Sequence, residues 1–359
     1  MRADLALVGF GNVGRRFAHL LEERRGQLAD DCDLGCRVVG IATGRHGAVF
    51  NPSGLDAISA AVTVASNGAL SGAPSEDGSE AVDGSTALIE RLQHSPAPLR
   101  VVVETTTLNI KDGRPALDHV ETALRAGLHV VTANKGPAAF AYERLRDMAA
   151  TAGVSFLFEG AVMDGVPIFN LVRETMPGVR VTGFRGVINT TTNHILTAVE
   201  NGEAFAAALA RMQAEGIAEA DPSLDLDGWD AAAKAAALAN VLLGARITPH
   251  DVARTGIDAS TADAARTAKD RGRRLKLVVS ARSGQRPSVR PQELPADDLL
   301  ARLGAMENAL ILETDLLGDV AIGQLTGNLT VTAYALLSDL ITIRRRCAAR
   351  YEAPLRRSL

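Results

Sequence analysis

The chain has 359 residues, a formal net charge of −4, and 22% charged residues, so its length predicts two domains or one large α/β unit with an insertion. Charges are spread along the chain without a basic footprint for nucleic acid, and we expect a small-molecule partner. No apolar run reaches the roughly 18 residues that cross a bilayer, and "LALVGFG" runs into a glycine loop without a cleavage-site pattern. These features indicate a soluble, cytoplasmic protein with no nucleic-acid or membrane partner.

Three cysteines are too few for a disulfide framework in a chain of this length. Cys32 and Cys36 could share a helical face and ligate a metal, but no second pair of Cys or His accompanies them. We therefore interpret the cysteines as inert.

The first 136 residues alternate strand and helix patterns. "DLALVGFGNVGRRFAHLLEER" predicts strand, tight turn and helix, and "CRVVGIAT", "LRVVVETTT" and "LHVVTANKG" predict three more buried parallel strands. "ALDHVETALRAG" lies between the last two as an amphipathic helix. This alternation predicts a doubly wound, Rossmann-type parallel sheet in an NAD(P)-binding domain over residues 1–136.

The remaining chain has a mixed character. Strand patterns such as "VTGFRGVI", "LKLVVSAR" and "ALILETDLL" alternate with long alanine-rich helices, which predicts a second, α+β domain over 137–320. In the segment 321–359, "TVTAYALLSDLITIRRR" predicts a helix that packs back on the nucleotide domain. Residues 66–85 are rich in Gly, Ser and acids and predict a surface loop.

A glycine loop follows the first predicted strand. "GFGNVG" places Gly9, Gly11 and Gly14 in the G-x-G-x-x-G spacing, at the start of a helix. Such a loop could be only a tight strand-to-helix turn, but in a βαβ unit it indicates a dinucleotide site, with the pyrophosphate at the helix N-terminus. Asn12 and Val13 complete the expected cofactor-binding loop.

The end of the second predicted strand bears on the choice between NADP and NAD. A carboxylate there would accept hydrogen bonds from the ribose 2′-hydroxyl, but the strand ends "GIATGRHG", with Thr43, Arg45 and His46. Arginine can bind a 2′-phosphate bidentately, although Arg45 and His46 could also be ordinary loop residues. The pattern favours NADP and leaves NAD open.

Polar residues follow two further strands of the predicted sheet. Lys135 lies just beyond "HVVTAN", and Thr105 and Thr106 end "VVVETTT". Doubly wound folds bind ligands at this edge, so we expect all three near the cofactor. Lys135 could instead be a surface lysine, but the flanking residues are typical of a shaped loop.

Carboxylates crowd the segment "AEADPSLDLDGWDAAAK", which precedes an alanine-rich helix. Asp230 and Lys234 are four residues apart and share a helical face. They could form an exposed ion pair worth about 0.3–0.5 kcal/mol, but the helix around them carries almost no other charge and is suited to burial. We therefore expect an acid that holds an amine for proton transfer.

A second polar segment, "NTTTN", could supply donors to a substrate carboxylate. Thr190, Thr191, Thr192 and Asn193 carry the hydroxyls and the amide that would do so. The same stretch could equally be a polar strand end with an N-cap for the helix "HILTAVENG". We interpret His194, inside that segment, as a packing residue.

Seven motifs resemble homoserine dehydrogenases in order and approximate spacing, in particular the short form without a C-terminal regulatory ACT domain. The resemblance extends over nearly all of the chain. The motifs are "GFGNVG", "VVVETTTLNIKDGRPA", "HVVTANKGP", "EGAVMDGVPI", "GVINTTTNHIL", "GIAEADPSLDLDGWDAAAK" and "NALILETDL". The resemblance implies an NAD(P)-dependent interconversion of L-aspartate 4-semialdehyde and L-homoserine, in the biosynthesis of threonine, methionine and isoleucine.

The resemblance also implies roles for individual residues. Lys234 would pass the proton, and Asp230 would bind substrate; Lys135 would lie near nicotinamide and substrate, and Thr106 would touch the cofactor. Further substrate-binding residues would be Glu219, Asp225 and Thr191. The resemblance implies that 137–320 is the catalytic and dimerisation domain of a homodimer. It also implies a monovalent cation, Na⁺ or K⁺, bound by a loop that includes Glu159, Val162, Asp164 and Val166.

The chain departs from the family pattern at three places. "GQLTGNLTVTAYA" is bulkier than the usual glycine-rich loop before the last helix, and Asp164 and Thr190 stand where relatives often have glycine. These differences leave two alternatives open, a related reductase acting on another amino-acid semialdehyde or oxo acid, and a catalytically silent dinucleotide-binding protein.

Overall fold

The chain divides into two compact units. The computed structural model describes residues 1–70, 78–215, 218 and 221–356, with side chains through residue 349. Of the predicted loop 66–85, residues 71–77 lie outside the described residues. The first unit is formed by Met1–Pro137, Glu143–Pro167 and Asn328–Leu359, and the second by Ala138–Tyr142 and Ile168–Gly327.

The first unit is built on alternating strands and helices. Its strands are β1 (Arg2–Val8), β2 (Gly35–Ala42), β3 (Ala48–Phe50), β4 (Glu80–Ala81), β5 (Leu99–Glu104), β6 (His129–Thr132) and β7 (Phe156–Leu157). Its helices are α1 (Asn12–Glu23), α2 (Arg25–Cys32), α3 (Ala57–Ala65), α4 (Gly84–Gln93), α5 (Ala116–Arg125) and α6 (Gly136–Ala152), the last of which also supplies residues to the second unit.

Among the described residues, these strands form a seven-stranded sheet in the order β4-β3-β2-β1-β5-β6-β7. Neighbouring strands pair in parallel along β2-β1-β5-β6-β7. At the other edge, β3 and β4 pair antiparallel. β1 lies between β2 and β5, so the strand order reverses there and the loops after β1 and β5 lie side by side. The predicted Rossmann-type parallel sheet is confirmed.

The boundary between the units differs from the sequence-based one at 137. Residues 143–167 belong to the first unit, because β7 extends the first sheet by pairing with β6. The sequence predicts a strand in "VSFLFEGAV" but does not show which sheet so short a strand joins.

A long C-terminal helix, α13 (Leu329–Arg356), completes the first unit. Ala333, Leu336, Leu337, Leu340 and Ile343 of α13 are buried in one apolar cluster with α1 and the parallel strands. The prediction that the last helix returns to the nucleotide-binding domain is therefore confirmed.

The second unit combines a mixed sheet with helices. After the short helix α7 (Ile168–Asn170) and a π-helical turn (Leu171–Thr175), it contains β8 (Val181–Val187), α8 (Thr190–Glu200), α9 (Phe205–Ala214), α10 (Ser223–Leu226), α11 (Trp229–Leu242), a 3₁₀ turn (Pro249–Asp251), β9 (Ala253–Arg254), α12 (Ala259–Asp270), β10 (Arg273–Arg282), β11 (Ser288–Pro295), β12 (Asn308–Thr314) and β13 (Asp319–Gln324).

Strands of the second unit, as far as the structure describes them, form a six-stranded sheet in the order β13-β12-β8-β10-β11-β9. β8 pairs antiparallel with both β12 and β10 at the centre. The alanines of α11 are almost completely buried, because their small side chains allow close approach of neighbouring elements. In the part of the chain that the structure describes, no helix is long and apolar enough to cross a membrane.

Candidate active site

The glycine loop occupies the turn between β1 and α1. Gly9 has φ +85°, and a Cβ there would lie 2.6 Å from the carbonyl carbon of Thr105. A Cβ at Gly14 would lie 2.7 Å from the carbonyl oxygen of Gly9, so α1 and the loop after β1 approach as closely as backbone permits. A Cβ at Gly11 would meet no protein atom within 4 Å. The open side of the loop is therefore at Gly11, where a pyrophosphate would approach the free amides of the helix.

Two helix residues flank this open side. Asn12 is exposed, and its Oδ1 accepts a hydrogen bond from Nη2 of Arg15 at 2.7 Å. Val13 is partly buried against the apolar cluster of the first unit. Arg15, which we did not single out from the sequence, also lies beside the loop. Its Nε donates to the carbonyl oxygen of Gly11 at 3.4 Å.

Thr105 and Thr106 lie at the carboxyl end of β5. The hydroxyl of Thr105 donates to the carbonyl of Gly9 at 2.7 Å, which ties the β5 end to the glycine loop. The backbone N–H of Thr106 donates to Oε1 of Glu104 at 2.9 Å, and its hydroxyl bonds to the same oxygen. Both threonines are thereby fixed next to the loop after β1.

A fully buried carboxylate organises this end of the sheet. Glu104 is 0% exposed, and its Oε2 accepts a hydrogen bond from the hydroxyl of Thr132 at 2.8 Å. Asn134 donates from Nδ2 to the carbonyl of Thr106 at 2.9 Å and accepts from the N–H of Gly136 at 2.8 Å. Glu104 and Asn134 thus connect the ends of β5 and β6. Neither role could be predicted from the sequence, because both residues are of a kind common at strand ends.

Lys135 lies between Asn134 and the first residue of α6. Its side chain is partly buried, and its backbone is held by the hydrogen bonds of Asn134 on one side and the start of the helix on the other. The structure therefore brings Lys135, Thr106 and the glycine loop together at one edge of the first sheet.

The turn after β2 contains the residues expected to select the cofactor. Arg45 is exposed. His46 donates its N–H to Oγ1 of Thr43 at 2.7 Å, and its Nδ1 lies 3.0 Å from the carbonyl of Gly68. His46 is thus anchored in the loop, whereas Arg45 is presented to solvent.

The loop after β7 carries the four residues of the expected cation site. Glu159 is 2% exposed, and its N–H donates to Oδ2 of Asp339, a second buried acid, at 2.8 Å. Val162 and Val166 are buried. Asp164 has φ +48°, a conformation that favours glycine, and its Oδ1 accepts a hydrogen bond from the hydroxyl of Thr332 at 3.0 Å. All four therefore lie in one turn that packs against the start of α13.

In the second unit, Asp230 and Lys234 form an ion pair on α11. Nζ of Lys234 lies 3.0 Å from Oδ2 of Asp230, and the two side chains are 16% and 15% exposed, respectively. Nζ also donates to the carbonyl oxygen of Ile188 at 2.7 Å. The amine is therefore held both by the acid one helical turn before it and by the backbone that follows β8.

Asn189 connects this pair with Asp225. Its Nδ2 donates to Oδ1 of Asp225 at 2.7 Å and to Oδ2 of Asp230 at 3.0 Å. Its Oδ1 accepts from the N–H of Thr192, and it is the N-cap residue of α8. The sequence interpretation named the residues after Asn189 and missed this one, although an Asn before a Thr-rich helix start is itself an N-cap signal.

The other expected substrate residues are only partly placed. Thr191 is 6% exposed in the first turn of α8, and Thr190 accepts a hydrogen bond from Nδ2 of Asn308 at 2.8 Å. Glu219 lies outside the described residues. Asn193 donates to the carbonyls of Gly304 and Glu307, so its amide anchors a loop and does not line the acid cluster.

The acidic segment before α11 is held by close backbone contacts. A Cβ at Gly256 would lie 2.1 Å from the carbonyl oxygen of Leu226, and Ile257 donates its N–H to that carbonyl at 2.8 Å. The guanidinium of Arg254 lies 3.8 Å from the ring centre of Trp229, the first residue of α11. These contacts fix the chain on both sides of Gly228, between Asp225 and Asp230.

His194 and the cysteines have no place in either cluster. Burial and the neighbouring Arg211 lower the pKa of His194. Burial raises the pKa of Cys36 to about 12, which makes it a poor metal ligand. Within the described part of the chain, no three His, Cys, Asp or Glu side chains cluster as a metal site would require.

A parallel sheet with this glycine loop, together with a second domain that holds a lysine–acid pair, defines a nucleotide-dependent oxidoreductase. The profile described as "Homoserine dehydrogenase, NAD binding domain" matches residues 9–159, and that described as "Homoserine dehydrogenase" matches residues 167–341. The chain belongs to the homoserine dehydrogenase family, which carries out the NAD(P)-dependent interconversion of L-aspartate 4-semialdehyde and L-homoserine.

Characterised relatives are similar over their whole length. The NAD(+)-dependent homoserine dehydrogenase of Pseudomonas canavaninivorans is 37% identical over 98% of this chain and 99% of its own. The homoserine dehydrogenase of Methanocaldococcus jannaschii is 37% identical over 95% of this chain and 98% of its own.

Solved structures of the family have the same fold. The homoserine dehydrogenase of Thermoplasma acidophilum superposes with a TM-score of 0.78, 26% identity, and coverage of 96% of this chain and 100% of its own. A hyperthermophilic archaeal homoserine dehydrogenase in complex with NADPH gives a TM-score of 0.77, 28% identity, and coverage of 96% and 98%.

Proposed function

We propose that Lys234 is the acid–base residue of the reaction and that Asp230 holds it in place. When bound, the nicotinamide cofactor supplies or accepts the hydride. During reduction of the aldehyde, Nζ of Lys234 gives a proton to the carbonyl oxygen; during oxidation of the alcohol, the neutral amine takes the proton from the hydroxyl group. The observation that carries this proposal is the position of Nζ, 3.0 Å from Asp230 and 2.7 Å from the carbonyl of Ile188.

Recognition of the substrate's α-ammonium group is proposed for the acids around Asn189. Asp225 and Asp230 bond to one amide nitrogen, so their carboxylates concentrate negative charge at one place. Such a cluster suits a positively charged amino group. We assign Glu219 to the same role from its sequence position, and Thr191 to the substrate's carboxylate.

The test of this assignment compares Lys234→Ala with Lys269→Ala. Lys269 belongs to the same unit, and its Nζ bonds to Asn201 away from the acid cluster. We expect Lys234→Ala to lose roughly 100- to 10,000-fold in kcat for aspartate semialdehyde reduction, with little change in the Kd for NADPH, because the proposed role is proton transfer. Lys269→Ala should match the unmodified protein. A comparable loss of NADPH affinity in Lys234→Ala would contradict the assignment.

For the first unit, we propose that the cofactor is bound by the glycine loop and the neighbouring strand ends. The pyrophosphate would lie at Gly11 and the N–H groups of Asn12 and Val13, between Gly9 and Gly14. Thr105, Thr106 and Lys135 would line the path toward the nicotinamide. The supporting observation is that a Cβ at Gly11 would point into open space, whereas Cβ atoms at Gly9 and Gly14 would collide with protein backbone.

We further propose that NADP is preferred over NAD, with Arg45 as the ligand of the 2′-phosphate. Arg45 is exposed beside the end of β2, and the turn contains no carboxylate that would repel the phosphate. The family offers both precedents, since the P. canavaninivorans relative is named as NAD(+)-dependent and the archaeal structure contains NADPH.

This preference is tested by kcat/KM for NADPH and for NADH in Arg45→Ala, with Arg25→Ala as an exposed-arginine control on α2. A charge-assisted hydrogen bond contributes about 1.5–3 kcal/mol, so the NADPH-to-NADH ratio should fall about 10- to 100-fold in Arg45→Ala alone. An unchanged ratio would remove Arg45 from this role.

A monovalent cation, Na⁺ or K⁺, is proposed for the turn of Glu159, Val162, Asp164 and Val166. A buried carboxylate and backbone carbonyls are hard oxygen donors of the kind such ions prefer, and the second buried acid, Asp339, adds negative charge. The carboxylate of Asp164 already accepts from Thr332, so we assign its contribution to the backbone carbonyl. Replacing NaCl or KCl by tetramethylammonium chloride at constant ionic strength should lower kcat; an equal kcat would contradict the site.

Finally, we propose that the enzyme is a cytoplasmic homodimer that contacts its partner through the second unit. Light scattering after size-exclusion chromatography and subcellular fractionation test the two parts. A monomeric mass would contradict the first, and recovery with membranes would contradict the second.

A further inference from the structure

The turn between β8 and α8 contains an amide that contacts two carboxylates. Asn189 follows the last strand residue by two positions and is 5% exposed. Both N–H groups of its Nδ2 are engaged, one with Asp225 and one with Asp230. Because both acceptors bond to one nitrogen, the two carboxylate oxygens lie within about 6 Å of each other.

The orientation of this amide is determined by its other side. Its Oδ1 accepts hydrogen bonds from the N–H and the hydroxyl of Thr192, both at 2.9 Å. Rotating the amide by half a turn would set the oxygen against two carboxylates and the NH₂ group against the N–H of Thr192. Only one orientation satisfies the network, and the donor therefore faces the acids.

The same turn also holds the lysine. The carbonyl of Ile188, in the peptide bond to Asn189, accepts a hydrogen bond from Nζ of Lys234 at 2.7 Å. The oxygen of Asp230 that receives the Asn189 amide, Oδ2, is also the one that contacts Lys234 at 3.0 Å. This turn thus contacts the amine through its backbone and the amine's counter-ion through its side chain.

We propose that Asn189 is a positioning residue for the homoserine dehydrogenase reaction, holding Asp225 and Asp230 at a fixed separation and, through Asp230, setting the orientation of Lys234. This inference rests on the roles proposed above for Lys234 and the acids. Two carboxylates so close would repel each other, and a shared neutral donor lets both stay ionised without adding a charge that would compete with the substrate's ammonium group.

Capping alone does not account for asparagine at this position. An N-cap residue needs only an acceptor, and Asp and Ser supply one as well as Asn does. Of these three, only Asn adds the two N–H donors that the acids use. Substitution by Ser or Asp therefore keeps the cap of α8 and changes only the contact with the carboxylates.

The experiment compares Asn189→Ser and Asn189→Asp with the unmodified protein. Asn189→Ser keeps an acceptor, adds no charge, and replaces the two amide N–H donors by one hydroxyl on a shorter side chain. We expect kcat/KM for aspartate semialdehyde to fall about 10- to 100-fold, the loss of one or two charge-assisted hydrogen bonds. The Kd for NADPH should change less than about twofold, because the substitution lies in the second unit.

Asn189→Asp places a third carboxylate beside Asp225 and Asp230, the acids that bond to Asn189. The added negative charge stabilises the ammonium form of Lys234. Oxidation of homoserine needs the neutral amine, so its pH midpoint should move upward by about one unit in Asn189→Asp and remain unchanged in Asn189→Ser. The midpoint does not depend on how much of a variant is folded, so an unchanged midpoint in Asn189→Asp would show that position 189 does not act on Lys234.

Two outcomes separate this inference from the roles on which it rests. If Lys234→Ala loses activity while both Asn189 variants keep the unmodified kcat/KM and pH midpoint, the inference is overturned and the role of Lys234 stands. If Lys234→Ala keeps full activity, the proposed role of Lys234 itself fails.

Discussion

Lys276 is a buried lysine whose energetic cost can be measured through pH. It is 1% exposed, and its Nζ donates to Oδ1 of Asn193 at 2.8 Å and to the carbonyl of Leu303 at 3.0 Å. Burial lowers the pKa of Lys276 from 10.5 to about 8, against the opposing effect of Glu200. We choose Lys276→Met as the perturbation because methionine has a similar length and no charge.

The magnitude follows from the two pKa values. One pKa unit corresponds to 1.36 kcal/mol, so the shift of Lys276 amounts to about 3 kcal/mol. Between about pH 8 and pH 10.5 the unfolded chain binds a proton that the folded chain lacks, and the free energy of unfolding therefore rises with pH in this window. Below about pH 8 both states are protonated and Lys276 adds no pH dependence.

The assay is urea unfolding at half-unit steps from pH 7 to pH 10.5, read by tryptophan fluorescence. Trp229 is the chain's single tryptophan and belongs to the same unit as Lys276. The free energy of unfolding of the unmodified protein minus that of Lys276→Met should rise by about 3 kcal/mol across the upper part of this range. Lys269→Met, at a lysine that bonds to Asn201, serves as the control for the replacement of a lysine by methionine in the same unit.

A constant difference for Lys276→Met would show that Lys276 titrates at the same pH in the folded and unfolded chains. A difference that falls with pH would reverse the sign and show that the hydrogen bonds to Asn193 and Leu303 outweigh burial. Either result would refute the reasoning.

Two further predictions concern the first unit. Glu104→Gln replaces the acceptor of three hydrogen bonds by a group with one oxygen and should weaken NADPH binding about 10-fold by releasing Thr106; an unchanged Kd in a fluorescence titration would count against it. Gly14→Ala and Gly11→Ala form a matched pair, because a Cβ would lie 2.7 Å from the carbonyl oxygen of Gly9 in the first and meet no protein atom in the second. We expect Gly14→Ala to lower the Tm and Gly11→Ala to keep it, while both lose NADPH affinity; equal Tm values would contradict the packing argument.

Much of the first unit could be predicted from the sequence, because its signals are local. The strand β1, the glycines and α1 follow one another within 23 residues, and the parallel strands are short, continuous apolar runs. Hydrophobic periodicity and turn residues suffice to recognise such a unit. Four parallel strands, β1, β2, β5 and β6, could be predicted in this way, whereas the edge strands β3 and β4, of three and two residues, have too short a pattern.

The positions of individual side chains could be predicted only where the sequence spacing determines them. Asp230 and Lys234 are four residues apart on one helix, and their 3.0 Å contact follows from helical geometry. Asn189 reaches Asp225 across 36 residues and Asp230 across 41, and no periodicity relates these positions. These long-range hydrogen bonds depend on how the turn after β8 packs against α10 and α11, which a single sequence does not specify.

Buried polar residues are the second kind of feature that the sequence conceals. Glu104 reads as an ordinary strand-end acid, and Lys276 as one of several polar residues in a strand. Both are less than 2% exposed, and each is compensated by partners distant in the chain, such as Thr132 and Asn193. Composition favours solvent exposure for such residues, so only the tertiary structure identifies them.

The packing of α13 in the first unit affects the order in which the two units can fold during synthesis. Residues from the first strand and from the last helix share one apolar cluster, while Ile168–Gly327 lies between them in the chain. During synthesis, part of the apolar surface of the first unit therefore stays uncovered until α13 has been translated, more than 300 residues after β1. The second unit has all its strands before α13 in the chain, so it can finish folding before the first unit does.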